Sequence, residues 1–154
     1  MAVKNFLKWP DKRLRSRANE ITEITEDIFS IWDDMIDTMN AMPGIGLAAT
    51  QIGIDLRLAV VDASESRNKP IKLANPEILQ SSIEYSETEE ASPNLCGVSA
   101  KIKRPKKVTV RFLNKEGFLG SAYDADSDGE EGKYYVYNYD KIKDCLLYTS
   151  DAAD

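Results

Sequence analysis

An α+β fold, with one N-terminal helix packed on an antiparallel β-sheet, is what this 154-residue chain predicts. Three observations carry that expectation. Residues 25–42 place their apolar side chains at the helical period. Several later stretches alternate apolar and polar residues, or cluster strand formers, at hairpin spacing. No repeat or low-complexity linker divides the chain, and its 42% apolar content suits one globular domain with a core.

The helix is the firmest element. Ile28, Ile31, Trp32, Met35, Ile36, Met39 and Met42 fall on one face, with Asp33, Asp34 and Asp37 opposite. Thr25 is placed to cap it, Glu26 and Asp27 suit the positive end of its dipole, and Pro43-Gly44 should end it.

Strands follow. Leu56 to Val61 is expected to be a largely buried strand, and Lys72 to Ala74 a short second one closed by Asn75-Pro76. Ser82 to Ser86 alternates around Ile83 and Tyr85. Val108, Val110 and Phe112 alternate with Thr109 and Arg111 before the turn Asn114-Lys115-Glu116-Gly117. Tyr134 to Tyr139 is rich in strand formers after an acidic loop. The basic run Lys101 to Lys107 leads straight into an alternating pattern and is expected to be a solvated strand edge.

Composition narrows the function. A formal net charge of −6 argues against a surface selected for nucleic acid. No apolar run is long enough to span a bilayer, and Met1 to Pro10 lacks a signal-peptide core. Cys96 and Cys145 are the only cysteines, which fits a reducing, cytoplasmic setting better than a disulfide framework. The chain contains no histidine, so chemistry that needs imidazole as base or ligand is closed to it.

The densest run of small residues is "GIGLAATQIG", in which Gly44, Gly46 and Ala49 fit the spacing of a dinucleotide-binding loop. That fingerprint needs a strand before the glycines and a helix after them, whereas here the helix comes first. Small residues at Gly44, Gly46, Ala48 and Ala49 would instead let a ligand lie along the main chain, with the Gln51 amide as a neutral donor beside it. A tight helix-to-strand connection with Gln51 solvated is the alternative.

"GIGLAATQIG" resembles the first signature of the peptide deformylases, G-Φ-G-Φ-A-A-x-Q. These are metal-dependent hydrolases that remove the formyl group from the N-terminal methionine of nascent proteins. "KWPDKRLRSRA" is similar to the family's opening segment, "LANPEI" to a following strand and "KRPKKVTVRF" to a later one, so the resemblance runs in order over roughly residues 6 to 117. It implies a deformylase-like fold in which Gln51 donates to the formyl oxygen while Gly44, Ile45 and Gly46 line the substrate, the peptide pairing like an added strand. It also implies a metal-bound water as nucleophile, held by one cysteine thiolate and the two histidines of an H-E-x-x-H helix, with iron(II) as the usual metal and zinc or nickel as alternatives. The implied partners are N-formylmethionyl peptides and chains emerging from the ribosome, met by a monomer in the cytoplasm of a bacterium or of the bacterial host of a phage, with no membrane and no nucleic-acid target.

The chain departs from the family in three places. Where the second signature is E-G-C-L-S-x-P-G, residues 90–97 are E-A-S-P-N-L-C-G, which puts Ser92 at the ligand-cysteine position. Neutral hydroxyls bind iron or zinc weakly. Cys96 is the remaining candidate ligand, although a lone cysteine is more commonly a small buried thiol. The H-E-x-x-H segment and its closing helix are missing; an acidic insertion at about residues 118–133 stands there instead. Its Asp124 to Gly129 fits the first half of a calcium loop, but Tyr135 occupies the position that needs a bidentate acid, so a solvated hairpin turn is the expectation. Finally, Cys145 to Asp154 resembles a translated sequencing adapter, which makes residues 1–144 a single incomplete domain and 145–154 a non-native tail. The expected function is therefore that of a peptide deformylase, inactive as the chain stands and without the ligands to hold its metal. The alternative is a non-catalytic deformylase-like protein that keeps the peptide groove.

Overall fold

Helix α1, Glu26–Asn40, organises the N-terminal half of the computed structural model, which describes residues 2–42, 44–113, 119–123 and 135–137. Ile28, Trp32, Met35 and Met39 are buried as their spacing predicts, with Ile31 and Ile36 packed partly against the same cluster. Each such side chain contributes about 1.5–3 kcal/mol relative to exposure. Two residues of the acidic face are partnered: Lys72 Nζ reaches Asp33 at 2.7 Å and Lys4 Nζ reaches Asp34 at 2.9 Å. Thr25 occupies the N-cap position with extended backbone, but its hydroxyl makes no cap bond, so Glu26 and Asp27 alone favour this end. The helix also stops two residues before the predicted Met42. There the Ala41 and Met42 amides turn back to Asp37 O and Met39 O.

Six strands form one antiparallel sheet: β1 (Gly46–Ala48), β2 (Leu58–Val61), β3 (Ile71–Ser81), β6 (Val108–Leu113), β7 (Leu119–Tyr123) and β8 (Tyr135–Tyr137), in the order β1-β2-β3-β6-β7-β8. Strands β4 (Tyr85–Ala91) and β5 (Ser99–Pro105) pair separately as a two-stranded sheet. Leu47, Leu58, Val60 and Ala74 join the α1 residues in one core, so the helix lies across β1 and β2. This is the α+β arrangement that the sequence predicts. Among the described residues β1 is the outermost strand on its side of the sheet.

Three strand expectations need correction. The strand expected over Lys72 to Ala74 continues to Ser81, straight through Asn75-Pro76. Asn75 takes a φ of 50° at a register shift between Ala74 and Glu77, and Pro76, with no N–H to offer a ladder, sits in that shift. The strand expected over Ser82 to Ser86 begins only at Tyr85. Ser82 instead builds the turn, donating its hydroxyl to Glu84 O and accepting from the Lys107 amide, and Ile83 is left 94% exposed. At the front of β2, Leu56 is excluded from the ladder and bridges Asn19.

The basic run forms β5, and the acidic strand β4 faces it. Glu87 opposes Lys103, Glu89 opposes Lys101, and Arg104 pairs with Glu90. The positive charge is thus largely matched across the small sheet. Among the described residues no helix is long and apolar enough to cross a membrane. The turn at 114–117, the Asp124 to Gly129 loop and the tail from Cys145 to Asp154 lie outside the described residues.

Candidate functional site

The glycine segment leaves α1 and becomes the edge of the sheet within a few residues. Gly44 N–H donates to Met42 O, while the Arg67 guanidinium donates to Gly44 O. Asp62 N–H then donates to Ile45 O at 2.8 Å, and Gly46, Leu47 and Ala48 register against Val61, Val60 and Ala59. Hydrogen-bonding direction alternates along a strand. Since the Ile45 carbonyl faces β2, the backbone N–H and C=O of Gly46 face the open side. A Cβ built on Gly46 would lie 3.5 Å from Val60 O and 3.8 Å from Val61 Cγ2, ordinary contact distances. The fold itself therefore does not demand glycine there.

Asp62 secures this edge from behind. It is buried, and its carboxylate accepts from Ser64 N–H, Ser64 Oγ and Lys69 N–H. Burial pushes its pKa up, but the Ser64 and Lys69 hydrogen bonds and the nearby Arg67 charge outweigh that and hold it below the ordinary carboxylate value. The loop so fixed carries Arg67, at a φ of 51°, to the Gly44 carbonyl.

Gln51 sits in the 3-10 turn Ala49–Ile52 that follows β1. Its Oε1 accepts from Ala48 N–H at 2.9 Å, and its Nε2 donates to Asn94 Oδ1 at 2.8 Å. Gln51 is therefore half-buried and oriented, not solvated. An amide nitrogen carries two hydrogens, and the bond to Asn94 uses one of them.

Asn94 was not singled out by the sequence. It is 5% exposed and joins three segments. Its Nδ2 donates to Leu7 O at 2.7 Å and Gln51 O at 2.9 Å, its Oδ1 also accepts from Ser92 Oγ, and its carbonyl accepts from Trp9 N–H. The available signal was the position: asparagine stands where the second signature has serine.

Ser92 lies beside this group, its hydroxyl engaged with Asn94 at 3.3 Å as both donor and acceptor. Cys96 does not join it. The thiol is exposed, not buried as a lone cysteine commonly is, and it meets Lys8 Nζ at 3.1 Å and Pro93 O at 3.8 Å. These residues do not fit a catalytic transition-metal centre. The sequence supplies no imidazole, Ser92 offers a hydroxyl already committed to Asn94, and among the described residues no three His, Cys, Asp or Glu side chains cluster to hold an ion. The arrangement offers instead an open strand edge, an oriented amide donor and a buried polar hub behind it.

Comparison with known proteins finds likeness in sequence and in fold. Residues 3–144 match the family model described as polypeptide deformylase. Peptide deformylase 1 of Pseudomonas syringae pv. tomato is 35% identical over 152 residues, covering 93% of this chain and 90% of that protein. Peptide deformylase 2 of Nitrosomonas europaea is 41% identical over 129 residues, covering 84% and 68%. Among solved structures, the peptide deformylase of Thermotoga maritima superposes with a TM-score of 0.74 at 31% identity, covering 80% of this chain and 82% of that one.

Proposed function

The chain belongs to the peptide deformylase family, and on that premise we propose that Gly44 to Gln51 is its binding edge for formylmethionyl peptides. The family is metal-dependent and acts on formylated nascent peptides, and its bacterial relatives support a place where such peptides are met, the bacterial cytoplasm. The carrying observation is that β1 is an outer strand whose Gly46 backbone groups face the open side, with Gln51 immediately downstream. An extended peptide adds there as a further strand, its main chain pairing with Gly46. Ile45, 54% exposed, offers apolar surface beside it, and Gln51 Nε2 donates its free hydrogen to the formyl oxygen.

No hydrolytic step is assigned to this 154-residue chain, because the family's ligand set is not among its residues. Ser92 in the place of the ligand cysteine is the observation that favours the second reading, a deformylase relative that binds without cleaving. Titration of a formyl-Met-Ala-Ser peptide into ¹⁵N-labelled protein tests the site directly. The amides of Ile45, Gly46 and Gln51 should shift before any others. Shifts confined to other segments would overturn the assignment.

A further inference from the structure

We propose that Asn94 is a positioning residue for formyl recognition: it aims the Gln51 amide along the β1 edge. The inference rests on the peptide-edge reading above and adds to it a residue that decides whether the formyl group is distinguished.

The argument starts from the degrees of freedom of Gln51. A glutamine side chain has three rotatable bonds, and holding it in one rotamer costs side-chain freedom. Two contacts fix it here. Ala48 N–H binds Oε1 at 2.9 Å, which sets the distal carbonyl, and Asn94 Oδ1 receives one Nε2 hydrogen at 2.8 Å, which sets the amide plane. With both made, the second Nε2 hydrogen has a defined direction. Without Asn94 the amide keeps one tether and can rotate about it.

Asn94 is itself immobilised to serve this purpose. Its Nδ2 hydrogens are divided between Leu7 O and Gln51 O, and its main-chain carbonyl holds Trp9 N–H. Leu7 N–H in turn donates to Gln51 O at 2.9 Å. The side chain therefore performs two separable tasks: its donors staple the N-terminal segment to the 3-10 turn, and its acceptor orients the Gln51 donor. Preorganised donors recognise a carbonyl better than flexible ones because no reorganisation is needed on binding. A neutral amide in this buried position also cannot swing towards a counter-charge.

The two tasks give the test. The 154-residue protein, its Asn94→Ala form and its Asn94→Asp form are titrated at pH 7.5 with formyl-Met-Ala-Ser and with the unformylated peptide, and thermal midpoints are recorded. Asn94→Ala should reduce the affinity ratio of formylated to unformylated peptide by about five- to ten-fold, the worth of one hydrogen bond. Asn94→Asp keeps an oxygen for Gln51 Nε2 while losing the donors to Leu7 and Gln51 O. It should lower the thermal midpoint yet retain the ratio, a separation that a merely structural role would not produce. A ratio preserved in Asn94→Ala, or lost equally in Asn94→Asp, overturns the proposal. If Asn94→Ala does not fold, Asn94→Leu, which fills a similar volume without an acceptor for Gln51 Nε2, takes its place and should lower the ratio in the same way, a preserved ratio overturning the proposal. If the unsubstituted protein shows no preference for the formylated peptide, the binding-edge reading itself fails and this inference falls with it.

Discussion

Asn75 pairs with Ile21 through its side chain as a neighbouring strand would through its backbone. Its Nδ2 donates to Ile21 O at 2.7 Å and its Oδ1 accepts from Ile21 N–H at 2.8 Å. Asn75→Ala removes both partners from a buried residue and places a Cβ-bearing side chain without compensating bonds at a φ of 50°. It should cost about 2–4 kcal/mol in urea unfolding, from two unsatisfied backbone groups and the left-handed backbone. Asn75→Asp, which keeps the acceptor and tolerates that φ, should cost less. An alanine variant within about 0.5 kcal/mol of the unsubstituted protein, the range of an ordinary surface change, would mean that the pairing carries no stability.

Gly46→Val separates folding from binding. The Cβ meets only ordinary contacts, and valine suits a strand, so the thermal midpoint should move by no more than about 4 °C. The same side chain narrows the approach to the open edge. Affinity for formyl-Met-Ala-Ser should fall at least about ten-fold, because main-chain pairing supplies most of the affinity of an added strand. Unchanged affinity would place the peptide elsewhere.

Formate release from a formyl-Met peptide should not exceed a metal-only blank, whether iron(II), nickel(II) or zinc(II) is added. The family's chemistry requires a three-ligand centre that activates water, and neither the histidine-free sequence nor the engaged Ser92 hydroxyl supplies one. Turnover above the blank would show that another donor set is used, and its metal dependence would identify it.

What the sequence made legible follows the physics of each segment. Helix α1 declared itself because fifteen residues repeat one period and a single face is buried. Strand β3 was cut short because Asn75-Pro76 is a strong local stop signal; the tertiary pairing with Ile21 and the register shift that accommodates it are invisible to local propensity. The family's first signature singles out Gly46 and Gln51, and the structure sets them on the outer strand β1 and in the 3-10 turn after it, because the short spacing between them leaves little freedom in how the segment folds. Asn94 was missed because its role lies in three contacts distant in sequence, to Leu7, Trp9 and Gln51. For Cys96 the sequence leaves a candidate metal ligand beside the commoner small buried thiol, and the turn of residues 92–98, with Gly97 at a φ of 74°, holds it at the surface beside Lys8.

Asp62 should make stability and binding depend on pH in a defined direction. Its folded-state pKa lies below the unfolded value of about 3.9, since the Ser64 and Lys69 hydrogen bonds and Arg67 outweigh the opposing effect of burial. A depressed acid stabilises the fold above its unfolded pKa, and that contribution is lost as pH falls through the lower folded value. Asp62→Asn should therefore cost about 1–3 kcal/mol at pH 7, where a charged acceptor of three hydrogen bonds is replaced by a neutral one. The gap between the two proteins should narrow below about pH 4, as the native carboxylate protonates too. The same loop delivers Arg67 to Gly44 O, so the variant should also weaken formyl-Met-Ala-Ser binding at pH 7 while Asn94→Asp leaves the formyl preference intact. Urea unfolding across pH 3 to 8 measures the first effect. A stability difference that stays constant over that range would show that shape, and not the charge of Asp62, holds the edge in place.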